Sequence, residues 1–338
     1  AYINRGNNND KNDNKKIITD IVSLRLEKAR LLGFDCYSNF VLDNTMAKNS
    51  TTVMEFLNNL WNYALPKAKA EAAELQKLMD KEGKGEKLEA WDWWYYTEKL
   101  RKEKYNLSEE DTKPYFKLEN VQQGVFGLAN QLYGLTFKEV DNIAKYHEDV
   151  KTFEVYDRDG RFLAVLYTDF FPRESKGGGA WMTEFRGQHK KDGQDVRPLV
   201  SLVMNFTKPT ASKPSLLTFD EVTTFLHEFG HSLHGMLSQC TYNSTGGTNV
   251  YRDFVELPSQ IMENWALEKE WLDTWAVHYQ TGEKIPQEYI TKIHEAANFQ
   301  SGYQNDRQLS FGLVDMAWHS VTSPVSGSIQ AFENQAMA

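Results

Sequence analysis

A mainly α-helical chain with a small β-sheet insert is the fold class the sequence predicts, on three observations. Apolar residues recur at i, i+3, i+4 and i+7 through most of positions 1–136, the period of half-buried helices. Over 137–206 that period gives way to short β-rich runs separated by turn residues. Over 207–338 the helical period returns, opened by a capping-box pattern of Thr218 and Glu221. No internal repeat is visible. The 338 residues therefore read as one large region with a helical part, a small sheet part and a second helical part.

The elements follow in order. "NRGNNNDKNDNKK" (4–16) is a polar, turn-rich lead-in. Residues 17–34 have helical periodicity and stop at Gly33. Val53, Phe56, Leu57, Leu60, Trp61 and Ala64 form the stripe of another helix, which Pro66 is placed to kink before it continues to Lys81. "KEGKGEK" (81–87) is a loop without the spacing of a phosphate-binding loop. Residues 90–105 and 121–135 read as further helices, the first too aromatic to face only water. "TFEVY" and "FLAVLYTDFF" flank "DRDG" (157–160) as a hairpin, and "GGGAWMTEF" (177–185) and "RPLVSLVMNF" (197–206) read as two more strands.

Composition narrows the function. Hydrophobic residues make up 41% and aromatics 13%, enough for a substantial core. The net charge of −9 argues against a general nucleic-acid binder, which needs a basic footprint. No apolar run reaches the length of a membrane span. No signal peptide is visible, though the chain starts on Ala1 rather than methionine. The two cysteines, Cys36 and Cys240, give neither a disulfide framework nor a zinc ribbon and read as plain thiols.

"TFLHEFGHSLHGML" (224–237) carries three of the eight histidines. On a helical wheel Val222, Phe225, Leu226, Phe229, Leu233, Met236 and Leu237 form one apolar stripe, and His227, His231 and His234 lie roughly opposite. His227 and His231 are one turn apart and can grip one ion. Glu228 sits about 100° around from His227, where a base reaches water at the metal without becoming a ligand. The competing reading is an exposed helix with scattered histidines. His234 lies about 10.5 Å along the axis from His227, too far to share an ion whose Zn–N bonds are about 2.1 Å. It reads as second-shell, substrate-side or simply polar surface.

A third ligand must come from elsewhere, and "RDFVELPSQIMENW" (252–265) is the nearest source. Phe254, Leu257, Ile261 and Trp265 form an apolar stripe, while Glu256, Gln260 and Glu263 share the other side. Pro258 favours the first helical turn, which puts Glu256 at the helix start. Spacing alone leaves Asp253, Glu256 and Glu263 open, and a solvated face is the plainer alternative.

These segments, with "AWDWWYYTEKLRKEKYNL", "YHEDVKTFEVYDRDG", "DFFPRESKGGGAWM", "GTNVYRDFVELPSQIMENW" and "QLSFGLVDMAWHSV", resemble the M3 (thimet oligopeptidase) family of zinc metallopeptidases over nearly the whole chain. Within it the resemblance is strongest to the bacterial peptidyl-dipeptidases of the Dcp type. It implies a zincin-like (gluzincin) helical metallopeptidase, part of a deep channel between two helical halves, with 207–338 as the zinc-binding helices. It implies one Zn2+ per chain on His227, His231 and Glu256, with Glu228 as general base and acid. It implies that the strand entered by "KGGGAWM", at Gly179 and Ala180, runs along the cleft and pairs with substrate backbone. A plain sheet corner is the alternative for that segment. His234, Gln260 and Glu263 remain second-shell or substrate-binding candidates.

The implied reaction is zinc-dependent hydrolysis of short peptides, releasing C-terminal dipeptides, in the cytoplasm or periplasm of a bacterium. The expected partners are short peptides, not nucleic acid or membrane, and the oligomeric state stays open. The resemblance also places this chain in the middle-to-late part of a longer protein. The N-terminal helical region and a later tyrosine- and glycine-rich segment have no counterpart here, so a zinc-containing but incompetent fragment, or a peptide-binding module, is the second expectation. An aminopeptidase on a related scaffold would want an amine-recognition site, and none is visible.

Overall fold

The structure is a computed structural model and describes residues 5–83 and 85–337. Asn4 of the lead-in, Lys84 of the 81–87 loop and Ala338 lie outside the described residues. The chain divides into two compact units, 1–104 with 298–338, and 105–297. That division differs from the three consecutive stretches 1–136, 137–206 and 207–338, because the last helices fold with the first ones rather than with the histidine helix.

The first unit is helical. Its elements in the leading segment are α1 (Lys15–Leu31), α2 (Tyr37–Leu42), α3 (Ser50–Lys81) and α4 (Trp93–Tyr105). Asn49 caps α3 by accepting the Thr52 N–H at 2.9 Å. The helix continues through Pro66 to Lys81 as one element. Tertiary packing along the later helix of this unit (Ser301–His319) sustains it. Glu71, on α3, accepts the Gly302 and Tyr303 amides at 3.0 and 2.7 Å, satisfying donors at that later helix's start. Leu75, Met79, Trp93, Tyr96 and Leu100 form a local core, with Tyr303 stacked on Trp93 at 4.0 Å.

The second unit carries the chemistry. It continues with α5 (Glu109–Thr112) and α6 (Leu118–Tyr133), which Gly134 ends in the left-handed conformation, φ 74°. Then come β1 (Thr136–Val140), β2 (Lys151–Tyr156), β3 (Phe162–Asp169), β4 (Trp181–Arg186), β5 (His189–Lys191), β6 (Gln194–Val196) and β7 (Leu199–Val203). The main sheet has the order β1-β2-β3-β7-β4, with only the β3–β7 pair parallel. The strand after the glycine run, β4, is therefore an edge strand. The β5–β6 hairpin was not read from the sequence, nor was β1.

The sheet is covered by α7 (Phe219–Met236). Val222, Phe225, Leu226 and Phe229 are fully buried against Val200, Leu202 and Met204 in one continuous core. Each such side chain contributes about 1.5–3 kcal/mol by leaving water. After α7 the chain turns back through α8 (Leu257–Glu263), α9 (Lys269–Leu272) and α10 (Gln287–Ala296). Among the described residues the first unit then closes with α11 (Ser301–His319) and α12 (Ile329–Ala336).

Candidate metal centre

The site starts from how α7 begins. Thr218 Oγ1 accepts the Glu221 N–H at 3.1 Å, and the Glu221 carboxylate accepts the Thr218 N–H at 2.8 Å. This reciprocal capping box fixes the first turn. From that start the apolar stripe locks onto the sheet, and His227 and His231 emerge on the other side, both half-buried. Their rings lie 4.9 Å apart and nearly perpendicular, at 84°.

Glu256 comes to them from α8, which begins at Leu257 with Pro258 in its first turn. The expected helix over 252–265 is thus shorter, and Glu256 occupies its N-cap position. Glu256 Oε2 lies 3.1 Å from His227 Nε2 and 3.1 Å from His231 Nε2. Donor atoms of all three residues lie within 4.8 Å of one another. Four ligands at about 2.0–2.1 Å in a tetrahedron stand about 3.3 Å apart, so this donor set fits a zinc ion. Two imidazoles and one carboxylate leave one tetrahedral position free.

Two neighbours hold these ligands. His227 Nδ1 lies 2.6 Å from Glu263 Oε1, so its Nε2 is the nitrogen left for an ion. The buried Ser259 hydroxyl donates to Glu256 Oε2 at 2.9 Å. The closeness of the two helices depends on Gly230, where a Cβ would fall 2.6 Å from both the Pro258 carbonyl oxygen and the Ser259 Cα. Neither Gly230 nor Ser259 was singled out from the sequence. A glycine in the interior of an amphipathic helix is the one signal that could have indicated close packing there.

Glu228 is buried beside the histidines. Burial pushes its carboxyl above the ordinary glutamate value, the Glu256 charge adds to that, and the His227 charge and Met182 N–H oppose it. The Met182 contact places edge strand β4 against the carboxylate. Burial also lowers the His231 and His234 imidazoles. The Glu256 carboxyl is pushed up by burial but held below its ordinary value by the Ser259 hydroxyl and the two histidines.

The remaining expected site residues are dispersed. His234 stays apart from the ion group, its Nδ1 buried without a partner among the described residues and its ring edge-on to Phe254 at 6.4 Å. Gln260 is exposed, its backbone N–H bonded to the Glu256 carbonyl at 2.9 Å. Gly179 adopts φ +89° immediately before β4, its carbonyl held by Asn205 Nδ2 at 2.7 Å. Ala180 packs on the core at the start of the edge strand.

The model of "Peptidase family M3" matches residues 1–332 of this sequence. The chain belongs to that family. It is 41% identical over 336 residues to a dipeptidyl carboxypeptidase of Salmonella typhimurium, covering 99% of this chain and 49% of that protein. It is 40% identical over 326 residues to oligopeptidase A of Escherichia coli, covering 96% and 48%. Saccharolysin of Saccharomyces cerevisiae is 36% identical over 325 residues, covering 91% and 45%. The M3 chain described here thus spans about half the length of the curated relatives it matches. Among the described residues no helix is long and apolar enough to cross a membrane.

Proposed function

We propose that this chain carries the zinc centre of a peptidase that hydrolyses short peptides, with release of C-terminal dipeptides as its mode. What supports the reading is one arrangement: His227, His231 and Glu256 converge on a point beside the buried carboxyl of Glu228. A zinc ion held by those three residues would polarise a scissile carbonyl and acidify water. The chain's own groups do the rest. Glu228 accepts a proton from the attacking water and donates it to the departing amine nitrogen, a role that a carboxyl raised by burial suits near neutral pH. Edge strand β4, entered through Gly179 and Ala180, has one side outside the sheet ladder and would present backbone groups there to an extended peptide. Glu263 holds the His227 ring, and His234 and Gln260 are the candidates for substrate contacts in this reading. A gluzincin-type site within a peptide-admitting channel is the architecture proposed for the whole protein.

The deciding experiment measures zinc per chain and cleavage of a blocked tetrapeptide in the wild type, Glu256→Ala and Glu228→Gln. One zinc in wild type and Glu228→Gln but none in Glu256→Ala, with turnover lost in both variants, is expected. Zinc that persists in Glu256→Ala overturns the ligand set. Turnover that survives Glu228→Gln overturns the assigned base. A C-terminal dipeptide as first product supports the peptidyl-dipeptidase mode, and internal fragments refute it. Zinc binding without cleavage in the wild type favours a peptide-binding module.

A further inference from the structure

We infer that Ser259 is a positioning residue for the metal ligand Glu256, an inference that rests on the zinc reading above. Of the three ligands Glu256 is the least constrained. Its side chain is 50% exposed, against 25% for His227 and 12% for His231. It sits at the end of a seven-residue helix, whereas both histidines are built into an 18-residue one. A free glutamate side chain samples many rotamers, and ordering it opposes binding.

Ser259 removes that freedom. Its side chain is wholly buried, so the hydroxyl has no solvent to turn to. It lies 2.9 Å from the Glu256 carbonyl and 2.9 Å from Glu256 Oε2, the same oxygen that faces both imidazoles. A hydroxyl has one proton to give. The Glu256 carbonyl already accepts the Gln260 N–H at 2.9 Å. The carboxylate, being charged, is the stronger acceptor for the hydroxyl proton. A carboxylate oxygen has lone pairs for both a hydrogen bond and an ion, so the contact fixes the ligand without occupying its metal-binding direction. A serine within a helix often bonds only the carbonyl three or four residues before it. Ser232 supplies that case on α7, donating to the Glu228 carbonyl at 2.9 Å from an equally buried position.

The test is the zinc dissociation constant, by competition with a chromophoric chelator, for wild type, Ser259→Ala, Ser259→Thr and Ser232→Ala, with the urea midpoint of each metal-free protein. Losing an outer-shell partner weakens a metal by about 10- to 100-fold. Ser259→Ala should weaken zinc by that factor, with a urea midpoint no lower than that of Ser232→Ala. Ser259→Thr, which keeps the hydroxyl, should recover most of the affinity, and Ser232→Ala should stay close to wild type. Equal affinity in wild type and Ser259→Ala overturns the inference, as does an equal loss in Ser232→Ala. Should Ser259→Ala fail to fold, the Thr variant decides: wild-type affinity supports the role of the hydroxyl, and a tenfold loss refutes it. A wild type that binds no zinc after reconstitution brings down the metal reading and this inference together, whereas zinc held equally by wild type and Ser259→Ala brings down this inference alone.

Discussion

A Cβ built on Gly230 would lie 2.6 Å from the Cα of Ser259, so the second helix of the site can approach only because residue 230 has no side chain. The contact is backbone against backbone and cannot be relieved by rotating a side chain. In Gly230→Ala the two helices must separate, carrying Glu256 away from His227 and His231. Overpacking of this kind costs about 1–3 kcal/mol, while the alanine gains about 1 kcal/mol of helix propensity. The expected outcome is a net loss of up to about 2 kcal/mol in urea unfolding of the metal-free protein, with zinc affinity at least tenfold weaker. A variant that keeps wild-type zinc affinity would mean that α8 is not held by this contact.

On the proposed zinc reading, Glu263 would act on the ion through His227. Its carboxylate, 2.6 Å from Nδ1, fixes the ring orientation and raises the basicity of the opposite nitrogen. Glu263→Gln keeps the shape and removes the charge. Zinc binding should weaken by about 10- to 100-fold. Glu228→Gln, which alters no ligand or ligand support, should leave it nearly unchanged. Titration with zinc against a competing chelator separates the two.

Much of the site was legible because α7 is a strong local signal. The capping box at Thr218 and an uninterrupted apolar stripe fixed the helix phase, and the phase fixed which way His227, Glu228 and His231 face. Pro258 told where α8 begins, and so placed Glu256 at its start. What stayed hidden depends on contacts between distant parts of the chain. Gly230 against Ser259 is a packing event that no local pattern encodes. Gln260 shares a wheel face with Glu256 and Glu263, but it is those two whose carboxylates reach the histidine ring nitrogens, at 2.6–3.1 Å. The β5–β6 hairpin has a two-residue Asp-Gly turn, with φ 51° and 77° at Asp192 and Gly193, but its three-residue polar strands lack any alternation to announce them. That α11 packs along α3 is likewise a pairing across more than 200 positions, out of reach of periodicity.

Asp169 makes the fold sensitive to acid. Burial pushes its carboxyl up, but the Arg173 guanidinium, the Lys176 ammonium and the Tyr146 hydroxyl together hold it below the ordinary 3.8. Arg173 grips it with two hydrogen bonds of 2.9 Å, and Lys176 Nζ lies 3.0 Å away, both side chains of that last pair being 2% exposed. A carboxyl lowered on folding contributes stability that is fully present above its unfolded value and lost as pH falls through the folded value. The window is therefore below about pH 4. At pH 7 Asp169→Asn leaves Lys176 buried without its counter-charge, which costs about 3–5 kcal/mol. Urea midpoints of wild type and variant should differ most above pH 5 and converge as wild-type Asp169 takes up its proton. A difference independent of pH would show that charge plays no part.

Asn205 tests whether the edge strand is held in advance for a substrate. Its amide Nδ2 donates to the carbonyls of Gly177 and Gly179, at 2.9 and 2.7 Å, spanning the turn that leads into β4. Lys176 Nζ anchors the start of the same turn on the carbonyls of Asp169, Phe171 and Met204. Asn205→Asp keeps the side-chain shape but turns two donated bonds into repulsion between oxygens. Losing two hydrogen bonds worth about 0.5–1.5 kcal/mol each corresponds to about 5- to 150-fold easier local opening. Amide hydrogen exchange over 177–182 should accelerate by that factor while α7 exchanges as in wild type. Acceleration spread equally over α7 would mean that the substitution weakens the whole unit. No acceleration would mean that the glycine turn keeps its shape without the clamp, and that Gly179 and Ala180 owe their placement to the sheet alone.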